Sequence, residues 1–93
     1  MLYSKWVPVG KSENTLDAIL RGSSDQNVAF DDLRHVLSRL GFHERIKGDH
    51  FIFSKDGVPE IINLQPVGSK AKAYQVKQVR NLILKYKLAG DRA

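Results

Sequence analysis

The spacing of hydrophobic residues changes along the chain and divides it into helical and extended segments. A short helix is predicted from Asn14 to Arg21, because three apolar residues fall on one of its faces: Leu16, Ile19 and Leu20. Asn14 followed by Asp17 resembles a capping box at the start of this helix. Residues 22–27 are polar and form a linker to the next element.

A second helix is predicted between Asp31 and Gly41. Asp31 can accept hydrogen bonds from the first turn as an N-cap, and Gly41 suits the end of the helix. Apolar residues recur at helical spacing between them, at Leu33, Val36, Leu37 and Leu40.

Three short segments rich in aromatic and β-branched residues follow the second helix. Residues 42–47, 50–55 and 58–64 are predicted to be strands. The dipeptides between them, Gly48-Asp49 and Asp56-Gly57, are typical of hairpin turns. The segment is therefore predicted to form a three-stranded antiparallel meander.

Helical spacing returns over residues 74–88, with Gly90 placed to end the helix. One face of this helix is apolar, at Val76, Val79, Ile83 and Tyr86. We expect the last two helices to cover one face of the sheet. The fold class is then α+β, an α-β-β-β-α sandwich like that of double-stranded-RNA-binding domains, with an extra N-terminal helix.

The composition is typical of one small globular domain. The 93 residues are 42% hydrophobic and 27% charged. We assign one domain to residues 1–93, with residues 1–26 as an arm and short helix and residues 27–93 as the core. The absence of cysteine excludes a disulfide scaffold and a thiol nucleophile. No apolar run approaches the ~20 residues that span a bilayer, so we expect a soluble, cytoplasmic protein without a membrane partner.

The net charge of +5 lies entirely in residues 42–93, which hold ten basic and five acidic residues. Within them, residues 68–87 contain six basic residues and no acidic one. Such a segment suits a polyanion such as RNA, or it is a solvated helix face. Lys77 and Arg80 lie off the apolar stripe of the last helix and are expected to face solvent or a ligand. The candidate phosphate contacts are Lys47, Lys70, Lys72, Lys77 and Arg80.

Three histidines are candidates for chemistry: His35, His43 and His50. Their spacing of eight and seven residues does not fit a two-histidine metal motif, so we expect neither a metal nor another cofactor. His50 follows the turn at Gly48-Asp49 and has cations near it in the sequence. An imidazole beside phosphate-binding cations is what metal-free RNA cleavage needs. The alternative is a purely structural role for His50 in its strand.

Residues 28–88 resemble the HicA family of bacterial toxins. The resemblance lies in Phe30-Asp-Asp-Leu, Leu40-Gly-Phe, Lys47-Gly-Asp-His-Phe-Ile-Phe, Ile61-Ile-Asn-Leu-Gln-Pro and the segment from Gly68 to Ile83. It implies a small messenger-RNA interferase with a double-stranded-RNA-binding-like fold, a catalytic histidine at His50 and neutralisation by a HicB-like antitoxin protein. Asp49 departs from the family pattern, where serine is usual, and its carboxylate would repel phosphate.

Three interpretations follow from these observations. The first is a metal-independent endoribonuclease toxin that cleaves messenger RNA, with His50 as general acid or base. The second is a noncatalytic RNA-binding module in which His50 is structural, and the third is a domain whose basic helix docks an acidic protein.

Overall fold

The computed structural model describes residues 11–90, which contain three α-helices and one three-stranded antiparallel sheet. In chain order these are α1 (Lys11–Arg21), a 3₁₀ turn (Asp25–Asn27), α2 (Phe30–Arg39), β1 (His43–Lys47), β2 (His50–Lys55), β3 (Val58–Leu64) and α3 (Ala73–Lys85). This order confirms the prediction of an α+β protein. Residues 1–10, which belong to the predicted N-terminal arm, lie outside the described residues, as do residues 91–93.

The strands agree closely with the predicted ones. The bounds of β2 and β3 and both two-residue turns are as predicted, with Lys47 paired to His50 and Lys55 paired to Val58. The start of β1 was predicted one residue too early, at Phe42. The amide of Phe42 donates to the carbonyl of Leu37 at 3.0 Å, so this residue completes the end of α2 instead.

The two faces of the sheet differ in character. On the inner face, Phe51 pairs with Leu64 and Phe53 pairs with Ile62. Leu64, Phe53 and Ile62 are buried. Side chains alternate between faces along a strand, and cross-strand partners share a face. The opposite side is therefore formed by residues of all three strands, and we call it the open face: Arg45, Lys47, His50, Ile52 and Asn63.

The helices pack on the inner face. The apolar stripe of α2 and the positions Val76, Val79 and Ile83 of α3 are buried in one cluster with Phe53 and Ile62. Tyr86, the fourth predicted stripe residue of α3, is half-buried at the margin of this cluster. The prediction that two helices cover one face of the sheet is confirmed.

Helix α1 belongs to the same core, since Leu16 and Ile19 are completely buried in the cluster. The predicted start at Asn14 was wrong, because the helix already begins at Lys11. Glu13 lies in its first turn, where a negative charge complements the helix dipole, and Asn14 is an exposed residue inside the helix.

Helix α2 begins without the predicted Asp31 cap. Its N-cap position is Ala29, and no side chain caps the first turn. The free amide of Phe30 instead donates to the carbonyl of Ser69 at 2.9 Å. A backbone amide at the start of α2 is therefore paired with a distant segment of the chain, where a nearby capping side chain usually accepts the hydrogen bonds.

Helix α3 ends at Lys85, before the predicted stop at Gly90. Lys87 adopts a left-handed φ of 53°, and the amide of Leu88 donates back to the carbonyl of Ile83 at 2.9 Å. This pairing across the left-handed residue closes the helix as a glycine cap does.

Arg34 of α2 holds the β1–β2 hairpin against the helices. Its guanidinium donates to both carboxylate oxygens of Glu44, at 2.6 and 3.0 Å, and lies 4.8 Å from the centre of the Phe51 ring. All five residues of β1 are exposed, so this attachment contributes to the orientation of the hairpin that carries His50.

Candidate functional site

His50 is the first residue of β2 and lies at the corner of the open face. The turn before it depends on Gly48, whose φ of 63° suits the first position of a two-residue hairpin turn. Phe51 and Phe53 point inward, so alternation directs His50 outward, where 49% of its side chain is exposed. Lys47 is its cross-strand partner. The turn thus places an accessible imidazole and a cation side by side.

One ring nitrogen of His50 is held by β3. Its Nδ1 atom lies 3.1 Å from the Oδ1 atom of Asn63. An amide oxygen only accepts hydrogen bonds, so this contact requires the proton of the neutral ring to be on Nδ1. The Nε2 atom then carries the lone pair and is available to accept a proton.

Asp49 faces the other ring nitrogen. Its carboxylate lies 3.7 Å from the Nε2 atom of His50 and accepts a hydrogen bond of 2.6 Å from the side-chain amide of Gln65. This hydrogen bond and one from a backbone amide hold the pKa of Asp49 below its ordinary value, with smaller effects from the charges of His50 and Lys72. Strand alternation alone would separate adjacent residues, but Asp49 belongs to the turn. The carboxylate can therefore stabilise a proton on Nε2.

The predicted cations lie in different places. Lys47 is next to His50 on the open face, and Lys72 is at the N-cap of α3, where its charge contributes to the lowered pKa of Asp49. Lys70 pairs through its backbone with Ala29, and its Nζ atom is 3.5 Å from the Oδ1 atom of Asn27. Lys77 is exposed in a groove beside α3. Of the predicted cations, Lys47 pairs directly with His50, and Lys72 acts on Asp49 through its charge alone.

Arg80 was predicted to face solvent or a ligand, but it is mostly buried against other parts of the protein. Only 15% of its side chain is exposed, and its guanidinium donates to both carboxylate oxygens of Asp25, at 2.9 and 3.1 Å. It also donates to the carbonyl of Ile19 at 3.1 Å. Arg80 lies off the apolar stripe of α3, but α1 and the 3₁₀ turn pack on that side. Its guanidinium is therefore engaged in tying these elements together.

Sequence reasoning missed three polar residues around His50: Arg45, Asn63 and Gln65. Asn63 and Gln65 hold the ring and the turn through the hydrogen bonds described above. Arg45 is exposed two positions from Lys47 on the open face, and no ion pair engages it within residues 11–90. The lengths of the two hairpin turns define the strand register. From that register, these residues could have been predicted to share a face with His50 or to lie beside it.

The other histidines do not join this site. His35 is exposed on α2, and His43 lies at the far end of β1, paired with Ser54. Over residues 11–90, no group of three or more histidine, aspartate or glutamate side chains is arranged to hold a metal ion.

Comparisons with protein-family models, with curated proteins and with solved structures found no match to this chain. No helix in the described part of the chain is long and apolar enough to span a membrane.

Proposed function

We propose that this protein is a metal-independent endoribonuclease that cleaves messenger RNA, with His50 as the residue that transfers protons. The observation that carries the proposal is the position of the His50 ring. It is accessible on the open face, bonded at Nδ1 to Asn63 and facing Asp49 at Nε2, with Lys47 as its cross-strand partner.

The chemistry follows from the state of the ring. The Nε2 lone pair takes the proton of a ribose 2′-hydroxyl, whose oxygen then bonds to the adjacent phosphorus atom. The bond from phosphorus to the 5′-oxygen breaks, the leaving oxygen takes a proton from water, and the hydroxide that remains takes back the proton held on Nε2. The RNA is left with a 2′,3′-cyclic phosphate at one end and a 5′-hydroxyl at the other.

The charges around His50 fit a phosphate that becomes more negative as the reaction proceeds. Lys47 and Lys72 supply positive charge at the developing phosphorane. Asp49 stabilises the protonated ring, but it also repels the substrate, so the two lysines have to offset its charge.

The resemblance of residues 28–88 to the HicA family supports a further assignment. In this proposal the sheet and helices form a double-stranded-RNA-binding-like sandwich, and the protein is the toxin of a type II toxin–antitoxin system. A HicB-like antitoxin would be its protein partner. Acidic groups on that partner would meet the cations around His50 and exclude RNA.

The test is to incubate RNA with the purified protein and with its His50→Ala variant in the presence of a chelator. We expect the protein to cleave and the variant to lose about 10² to 10⁴ in rate. His43→Ala is the matched control, because it removes an exposed imidazole from β1 at the end away from the turn. RNA binding without cleavage by the parent protein would instead identify a noncatalytic RNA-binding module.

A further inference from the structure

A groove of about 440 Å³ lies between α3 and β3, outside the site at His50. Leu82, which is 4% exposed, forms its apolar floor. The α3 residues along its wall fall at helical spacing on one face of the helix: Tyr74, Lys77, Gln78 and Asn81. An exposed ring, a cation and two amides therefore project from one face of one helix.

One end of the groove is closed by an ion pair. Glu60 of β3 accepts hydrogen bonds of 2.7 Å from the Nζ atom of Lys85 and from the hydroxyl of Tyr86. In these contacts the charges of Glu60 and Lys85 neutralise each other. Lys77 has no ion pair within residues 11–90, so it leaves the groove with a free positive charge.

The other end of the groove lies at the first turn of α3, beside Lys72. Tyr74 is 64% exposed, and the Nζ atom of Lys72 lies 5.9 Å from the centre of its ring. The positive charge of Lys72 also contributes to the lowered pKa of Asp49. Tyr74 therefore lies beside a lysine whose charge acts on Asp49, the residue before His50.

We propose that this groove binds one unpaired base of the RNA, beside the phosphate that is cleaved at His50. The base stacks on Tyr74 above the apolar floor, its edge bonds to the amides of Gln78 and Asn81, and Lys77 contacts a neighbouring phosphate. This inference rests on the proposed ribonuclease function and adds the substrate class, which is single-stranded RNA with a preferred base at one position.

Several features favour a nucleotide over an acidic protein as the occupant. The exposed surface is a flat ring rather than an aliphatic patch, and stacking on an aromatic side chain accepts the face of any base. Neither the Gln78 amide nor the Asn81 amide has a hydrogen-bond partner within residues 11–90, so both are available to donate and accept at a base edge. The groove has room for one base and part of its ribose.

The test measures binding of short unpaired and duplex RNAs in the His50→Ala background, where the RNA stays intact. We expect Tyr74→Ala to weaken binding of unpaired RNA by about 5- to 100-fold, since stacking contributes that much per base. Tyr74→Phe is the matched control, because it keeps the ring and should retain the affinity. Unpaired RNA carrying 5-iodouridine should crosslink to Tyr74 on irradiation.

Cleavage by proteins that retain His50 gives an independent readout. The Gln78→Ala and Asn81→Ala variants should cut a mixed RNA with a weaker preference for the base next to the cleaved bond. Equal affinity of the proteins with and without Tyr74→Ala for unpaired RNA, or an unchanged cleavage pattern in both the Gln78→Ala and the Asn81→Ala variant, would overturn the groove assignment. Cleavage at His50 would continue in that case, so the proposed ribonuclease function would stand without the groove assignment. If the groove variants lost binding to an acidic protein but still bound RNA, the groove assignment would also be overturned, and the groove would be identified as a docking surface for protein.

Discussion

The amide oxygen of Asn63 lies 3.1 Å from the Nδ1 atom of His50, although the residues are thirteen positions apart in the chain. They meet because Asn63 pairs with Ile52, two positions from His50 on the same face of the sheet. The contact orients the ring and determines which nitrogen carries the proton. Asn63 is thus a positioning residue in the proposed reaction.

Replacing Asn63 with alanine is expected to reduce kcat by up to about 10²-fold while changing KM little, because the ring loses its orientation but the cations remain. Asn63→Asp keeps an acceptor and should recover part of the rate. A carboxylate there would stabilise the protonated ring, so the pH–rate profile should move to higher pH. Steady-state kinetics across a pH series measure both effects. An Asn63→Ala enzyme with parental kcat would remove Asn63 from the mechanism.

The cations closest to the site should control the salt dependence of RNA binding. Lys47→Ala and Lys72→Ala are each expected to weaken binding and to reduce the slope of log affinity against log salt by about 0.7, the value for one phosphate contact on a single strand. Arg21→Ala is the control, since it removes one exposed positive charge at the end of α1. Titrations at several salt concentrations give the slopes. Equal slopes for all three variants would mean that net charge, not contact at the site, governs binding.

Arg80 is expected to affect stability rather than RNA binding. Arg80→Ala removes three hydrogen bonds and leaves the carboxylate of Asp25 without its partner. We expect a loss of about 1 to 3 kcal/mol in the free energy of unfolding, as for hydrogen bonds to charged groups. Lys77→Ala should show the opposite result, with unchanged stability and weaker RNA binding. Denaturant unfolding and RNA titration of both variants test the contrast, and a fully stable Arg80→Ala protein would contradict it.

The Glu60 contacts predict a stability difference that depends on pH. Hydrogen bonds from Lys85 and Tyr86 hold the pKa of Glu60 below its ordinary value of 4.5. The same contacts raise the pKa of Lys85 above 10.5 and that of Tyr86 above 10.0. Because the pKa of Glu60 is lowered in the fold, its contacts stabilise the protein above pH 4.5, and this stabilisation is lost as the pH falls through the folded-state pKa. Because the pKa values of Lys85 and Tyr86 are raised, their contacts stabilise the protein below pH 10.0, and this stabilisation is lost as the pH rises through the folded-state values.

Thermal melts of the parent and Glu60→Gln proteins over a pH series measure this difference. We expect the parent to melt at a higher temperature on a plateau from about pH 5 to 9, and the two curves to converge on either side of it. The glutamine keeps an acceptor for Tyr86, so the comparison isolates the charge. A difference that is constant down to strong acid would show that the carboxylate charge is not its source.

A HicB-like antitoxin is expected to cover His50 and Lys72. Hydrogen exchange of the complex should show protection of the β1–β2 turn and of the start of α3, where the partner would meet these cations. Protection restricted to α1 would exclude a mechanism in which the antitoxin blocks the site directly.

Local patterns were sufficient for much of the fold. The alternation of residues 50–55 and 58–64 and the turn dipeptides predicted two strands to the residue, because strand period and turn chemistry are properties of adjacent residues. The apolar stripes of α2 and α3 likewise identified the helix faces that are buried. The position of His50 at the corner of the sheet followed from the same turn.

The partners of polar groups depended on contacts between distant segments. Asp31 has the chemistry of a helix cap, but Ser69 supplies the acceptor for Phe30 from a segment far along the chain. Arg80 has the charge of a phosphate contact, but Asp25 and the carbonyl of Ile19 bind it. The spacing of hydrophobic residues indicates which side of an element is buried. Hydrogen bonds and ion pairs, in contrast, act over a few ångströms between groups that are brought together only when the chain is folded. The sequence therefore determined the elements and their faces, and the tertiary structure decided which polar residues remain available for function.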